Sequence, residues 1–313
     1  MFIKHLVQWL VRLGRLARLA PVAMVALAAS PLAHAQDYSK VEITTQKLGN
    51  TVYMLRGAGG NMGLSVGDDA VFLIDDQFAP LAPKIKAAIA AITKKPVQFL
   101  LNTHFHFDHT GGNESFGTDG ALIVAHDNVR RRMGVEQLVG LGSALSRQAA
   151  SPKAALPVVT VTREISLHIN GDEIFAFHVP SAHTDGDLIV HFRKSDVVHM
   201  GDTYFNGLYP FIDVTSGGTA EGVVAAADRV LALSGDGTKI IPGHGPLASK
   251  ADLQKYRDML DTVVKRIKEQ RRAGQRDEQI RAAKPSADFD AAWGNGFIKP
   301  EAFVQMMLAA IPP

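Results

Sequence analysis

Between Thr103 and His109 the chain reads Thr103-His104-Phe105-His106-Phe107-Asp108-His109, three imidazoles and a carboxylate within six consecutive positions. Crowding such groups in a folded interior costs desolvation that no apolar core repays, whereas a bound cation does. The run follows an apolar, strand-like stretch from Val97 to Leu101 and precedes Gly111 and Gly112. A ligand-rich loop between a buried strand and a glycine turn is where layered α/β folds build sites. The segment therefore reads as a metal site, and the rest of the chain has to bring further ligands to it.

The surrounding pattern fits such a fold. Short β-branched runs separated by Gly, Asn or Asp occupy 41–45, 52–55, 63–66 and 70–74, followed by a helical pattern at 80–92. After the histidine loop come a strand at 122–125 and a helix expected from Asp127, as its cap, to about Ala149. A second strand set follows at 158–161, 165–169, 173–179, 187–192 and 197–200. Helices at 220–233 and 252–272 enclose a strand at 239–241, and the tail after Asp277 shows helical signals near 289–293 and 301–311. Strands then helices, repeated once, predict a four-layer αββα sandwich: two mixed sheets flanked by helices. No linker composition divides residues 36–313, which are read as one domain with a C-terminal helical tail.

Residues 1–35 read differently. Lys4, Arg12, Arg15 and Arg18 precede an apolar run from Leu19 to Ala29 and an Ala33-His34-Ala35 processing site, with no acidic residue before Asp37. This predicts a cleaved signal peptide and a periplasmic or secreted product; the run is too short and Pro-interrupted to span a membrane. The whole chain carries a formal charge of +2. Without the four basic residues it has 29 Lys and Arg against 31 Asp and Glu, net −2, which gives no reason to expect a nucleic-acid partner. The 313 residues contain no cysteine, so disulfides and thiolate ligands are excluded.

Ten histidines remain after residue 35. Beyond His104, His106 and His109, two share the same setting, just after a strand and close to glycine: His183 in Ser181-Ala182-His183-Thr184-Asp185-Gly186-Asp187, and His244 in Pro242-Gly243-His244-Gly245. Asp202 in Met200-Gly201-Asp202-Thr203 has it too. Converging strand ends would gather five imidazoles and two carboxylates, enough for two metals sharing a carboxylate. His178, His191 and His199, within apolar strands, read as satisfied structural histidines, and His126 and His168 as surface residues. Arg130, Arg131 and Arg132 read as a solvated helix face.

With these residues in order, the chain resembles the metallo-β-lactamase-fold superfamily: His104 to His109 matches its HxHxDH signature, and His183, Asp202 and His244 its later ligands. The resemblance implies two zinc ions, one held by His104, His106 and His183, the other by Asp108, His109 and His244, with Asp202 bridging. It places Asp108, His183 and Asp202 at the reacting centre and gives Asp75 a supporting role behind the ligand loop. Asp187 is a similar candidate or a turn residue. It further implies an exported hydrolase that opens an amide-, ester- or thioester-type bond of a small molecule, with water activated between the metals and without a covalent enzyme intermediate. Export and family association put a β-lactam first. Asp at position 202 and the absence of Lys or Arg from Thr203 to Gly218 point instead to lactonase or thioesterase branches. Outside hydrolysis, an iron-dependent redox protein and a non-catalytic binding module remain open. Tyr204 to Phe211 is expected to wall the pocket, with Asn206, Tyr209 and Phe211 as substrate contacts.

Overall fold

The computed structural model describes residues 37–140 and 145–312; the signal-peptide reading of residues 1–35 lies outside them. Strands β1 Thr44–Lys47, β2 Val52–Arg56, β3 Met62–Val66, β4 Val71–Ile74, β5 Phe99–Leu101, β6 Leu122–His126 and β9 Val159–Val161 form one sheet in that spatial order. Strands β10 Glu164–Ile169, β11 Asp172–His178, β12 Leu188–Phe192, β13 Val197–His199, β14 Lys239–Ile241 and β15 Ala248–Ser249 form the second. Between β6 and β9 a separate hairpin joins β7 Gln137–Val139 to β8 Ser146–Gln148. Both large sheets are mixed: β4, β5, β6 and β9 run parallel, as do β13 and β14, and the remaining neighbours antiparallel.

Alternation along the strands makes the layers. In β4 every residue is buried, but Phe72 and Ile74 face the second sheet while Val71 and Leu73 face the outer helix α1, Ala82–Ala90. Phe72 meets Phe192 of β12 edge-on, ring centres 6.4 Å apart, across the interior between the sheets. The other face of the second sheet is covered by α5 Ala220–Leu233, α6 Lys250–Arg272 and α9 Pro300–Ala310, through Val223, Val230, Leu260, Val263 and Phe303. The expected αββα sandwich is the observed fold. Short helices α2 Phe107–Thr110, α3 Asn113–Thr118, α7 Asp277–Ala282 and α8 Asp290–Trp293 complete it. Among the described residues no helix is long and apolar enough to cross a membrane.

Three local readings are corrected. The helix expected from Asp127 to Ala149 stops at Met133, as α4 Asp127–Met133. Gly134 and the positive-φ Gly140 follow, and β-branched Val135 and Val139 favour the hairpin that replaces it. Its N-cap is the His126 side chain, accepting from the Asn128 amide at 3.1 Å, so His126 is buried rather than a surface residue. Nor is the arginine run simply solvated: Arg132 pairs bidentately with Asp185, both contacts 2.8 Å, and Arg130 donates to the Pro157 carbonyl.

Candidate metal centre

The ligand candidates hang from strand ends on one edge. Asp75 follows β4, His104 follows β5, Asp202 follows β13 and His244 follows β14, each at a carboxyl end, while His183 lies in the turn between β11 and β12. Because β4–β5 and β13–β14 are parallel pairs, their carboxyl ends are neighbours within each sheet. Two groups result. His104, His106, His183 and Asp202 offer atoms within 4.8 Å of one another, and so do Asp108, His109 and His244.

Asp202 stands between the groups. Its Oδ2 lies 3.9 Å from His104 Nε2, 3.7 Å from His183 Nε2 and 3.3 Å from His244 Nε2, and its Oδ1 lies 3.0 Å from His109 Nε2. Asp108 Oδ2 is 3.3 Å from His244 Nε2 and 3.7 Å from His109 Nε2. Two glycines make these approaches possible. A Cβ at Gly60 would lie 2.0 Å from the His109 ring, and one at Gly243 2.0 Å from Asp202 Oδ1.

Four of the five rings, those of His104, His106, His109 and His183, have a hydrogen-bond partner behind them, the arrangement that orients metal-binding histidines. His109 Nδ1 donates to Asp75 Oδ2 at 2.8 Å; the same carboxylate accepts from the Thr103 amide at 2.8 Å and the Thr103 hydroxyl at 2.7 Å. Asp75 and the following Gln77 hold positive φ, 59° and 56°, at the point where the chain leaves β4. Gln77 Nε2 donates to the Gly60 carbonyl at 2.6 Å. His183 Nδ1 donates to the Phe211 carbonyl at 2.8 Å, and the His104 ring packs against Thr103 Oγ1 at 3.1 Å.

His106 is held by Asp213, a residue the sequence reading did not single out. His106 Nε2 lies 3.0 Å from Asp213 Oδ2, and the Asp213 amide donates to the His183 carbonyl at 2.9 Å, so one residue positions two rings. An acid inside the apolar run Phe211-Ile212-Asp213-Val214 was its one local signal. Asn61 was missed too: its side chain donates to the Pro242 and Gly245 carbonyls at 2.8 and 2.9 Å, clamping the His244 turn.

The expected pocket wall is corrected in part. Tyr209 is buried, stacked on Phe303 at 3.9 Å with its hydroxyl donating to Asp290 at 2.7 Å, so it belongs to the core. Asn206 accepts from the Tyr204 hydroxyl and donates to the Pro246 carbonyl, which ties it to the His244 loop. Phe211 does lie beside the cluster, its ring centre 6.0 Å from that of His106 and 5.8 Å from that of His183. Asp187 holds the turn after His183, accepting from the Thr184 amide at 2.8 Å and its hydroxyl at 2.5 Å; burial pushes its carboxyl up to about 8. His199 is a satisfied core histidine between the Asn61 carbonyl and the Gly201 amide, as expected.

The donor chemistry fits metal. Burial, reinforced by the charge of His109, holds His104 well below the ordinary imidazole range, and burial lowers His183 to about 4, so both are neutral donors at pH 7. Burial opposes ionisation of Asp202, but His244 and His109 outweigh it and keep the carboxyl well below its usual value. His104 Nε2 is buried without any hydrogen-bond partner. His106 Nδ1 faces His183 Nε2 at 3.0 Å, and His109 Nε2 faces His244 Nε2 at 3.4 Å. Opposed imidazole nitrogens need a proton or a cation between them. Two such pairs about one carboxylate suit a pair of metal ions.

Relatives agree with this architecture. The chain is 22% identical over 210 residues to the 2,4-dinitroanisole O-demethylase subunit alpha of Nocardioides sp. (strain JS1661), covering 66% of this chain but only 59% of that one. It is 28% identical over 193 residues to the probable metallo-hydrolase YqgX of Bacillus subtilis (strain 168), covering 57% of this chain and 85% of that one. The crystal structure of the DIM-1 metallo-beta-lactamase superposes with a TM-score of 0.58 at 16% identity, over 71% of this chain and 99% of its own. The sequence profile of the metallo-beta-lactamase superfamily matches residues 55–262, a span that carries all the gathered histidines and aspartates, and the chain belongs to that superfamily.

Proposed function

We propose that this protein is a dinuclear zinc hydrolase that opens the carbonyl bond of an uncharged ester, lactone or thioester, and that it is exported. The observation that carries the reading is Asp202 within 3.9 Å of nitrogen donors from both groups, with each group supplying three further side chains. His104, His106 and His183 would hold one zinc, Asp108, His109 and His244 the other, and Asp202 both. A bound zinc pair would polarise the scissile carbonyl and make water acidic enough to attack it near neutral pH.

The chain's own residues supply the rest. Asp108, whose side chain is 23% exposed while that of Asp202 is 5% exposed, is the accessible carboxylate. It would orient the attacking water. Asp75 and Asp213 keep His109 and His106 in one ring orientation, so the donors need no rearrangement as charge develops. Phe211 and the buried Phe205 beside the rings exclude bulk water from one flank.

The substrate reading turns on charge. The loop from Thr203 to Gly218 has no Lys or Arg, Arg132 is paired with Asp185, and Arg147 with Glu136. The loop after Asp202 thus offers no cation to grip a substrate carboxylate such as that of a β-lactam. The β-lactam reading is kept as the second one, favoured by the match to nearly the full length of DIM-1. Zinc content and turnover of 4-nitrophenyl esters, lactones, thioesters and nitrocefin by protein starting at Gln36, with an Asp108→Ala control, separate the two. Two zinc ions and Asp108-dependent ester-type turnover exceeding that of nitrocefin are expected. Iron in place of zinc, or turnover surviving Asp108→Ala, would sink the proposal. Secretion of the full-length chain with mass spectrometry of its mature N-terminus tests export.

A further inference from the structure

Two large apolar side chains beside the metal centre stay in solvent: Phe107, within the ligand loop, and Phe297, which packs against aromatic rings of the site. Phe297, in the loop between α8 and α9, is 59% exposed. Its ring centre lies 6.0 Å from that of His244, at 65°, and 5.9 Å from that of Phe205, at 53°. Phe205 in turn lies flat on His244, centres 5.1 Å apart and 17° between planes. A single exposed Phe needs no explanation by itself. An exposed Phe set edge-on to a histidine of the metal centre is a different matter.

Its position is built by the segment that follows Asp202. The Tyr209 amide donates to the Trp293 carbonyl at 2.9 Å, and the Tyr209 ring stacks on Phe303, fixing both ends of the loop. Gly296 lets that loop close on Leu208, where a Cβ would lie 2.8 Å from Cδ2. Lys299, the nearest cation in sequence, donates to the Asn295 carbonyl at 3.3 Å.

Access to the centre lies on the same flank. The side chains of His104, His106, His109, His183 and Asp202 are 5% exposed or less, whereas His244 is 19% and Asp108 23% exposed. The open side of the centre therefore carries Asp108 and His244, and Phe297 borders it at His244. The superfamily match ends at residue 262, so Phe297 belongs to a part of the chain outside it.

We infer that Phe297 is a specificity-determining residue: beside His244, and backed by the buried Phe205, it holds an apolar alkyl or aryl arm of the substrate as the carbonyl enters. The inference rests on the hydrolase reading and narrows its substrate to neutral acyl compounds with an arm of several carbons.

Two hydroxamates test it, since both carry the same zinc-binding head and differ only in the arm. Acetohydroxamate and octanohydroxamate are titrated calorimetrically into zinc-loaded wild type, Phe297→Ala and Phe297→Leu. Wild type is expected to bind the octano compound roughly ten- to thirty-fold more tightly, from the apolar area covered. Phe297→Ala should reduce that ratio several-fold, with zinc content and acetohydroxamate affinity unchanged, and Phe297→Leu should restore most of it. A wild type that binds neither compound or shows no preference for the long arm overturns the inference. So does a preference unchanged in Phe297→Ala, or an equal loss for both compounds. Failure of the hydrolase reading shows elsewhere: esters of both lengths would stay intact while the hydroxamate preference and its dependence on Phe297 persisted.

Discussion

The two halves of the metal centre are built on opposite electrostatic plans. The group of His104, His106 and His183 is buried and meets two carboxylates, Asp202 among the rings and Asp213 behind His106. Burial keeps His104 and His183 neutral. The group of Asp108, His109 and His244 opens to solvent and places two imidazoles among Asp75, Asp108 and Asp202. Burial opposes protonation there, but those carboxylates outweigh it, lifting His244 to about 9 and His109 well above its ordinary value. On the proposed reading a cation would meet neutral rings at His104 and His183, whereas one entering the open half would have to displace protons from His109 and His244.

The largest expected effect comes from removing what the halves share. Asp202→Ala should abolish uptake of metal at both positions and lower turnover to that of metal-free protein, read by metal analysis and kinetics. Loss of one metal with the other retained would break the reading of Asp202 as shared. The supports behind each half provide the next test, with losses of about 10- to 100-fold in metal affinity. Asp213→Asn should weaken the buried half and Asp75→Asn the open half, followed by competition with a chelator. Identical effects of both variants on both metals would erase the distinction.

Protons give a sharper comparison. Loading the open half at pH 7 should release protons from His109 and His244, measured by calorimetry in two buffers of different ionisation enthalpy, and the share from His244 should fade as the pH passes about 9. Loading the buried half should release few. For metal-free protein, His244 contributes stability fully below its unfolded value near 6.5, and that contribution is lost as the pH rises through about 9. The Tm gap between wild type and His244→Gln should therefore close at high pH. The smallest effect is expected at Tyr209→Phe, about 1 kcal/mol of stability from the lost hydroxyl bond to Asp290. Its relative rates on different substrates should match those of wild type, since the ring is core rather than wall.

How much was legible in the sequence follows from the range of each interaction. Helix α5 and strand β14 coincide with their sequence patterns, because apolar periodicity is a local signal that burial against one layer preserves. The helix read past Met133 was not legible, because its apolar spacing also suits a hairpin and the glycines decided between them. His104, His106 and His109 announced themselves by density along the chain. Asp213 did not: its significance arises from His106, 107 positions away, and no local pattern distinguishes it from any other acid.

The chain by itself determined the class of fold and the kinds of donor available, since strand spacing, glycine placement and the histidine run are all written over a few residues. Tertiary structure alone decided how those donors are divided. Parallel pairing of β4 with β5 and of β13 with β14 sets their carboxyl ends side by side. Where each donor then lies relative to solvent and to the other charges settles which imidazoles are neutral, which carboxylate is shared and which flank is open. Burial and Coulomb interaction depend on distance through space, and a sequence records only distance along the chain.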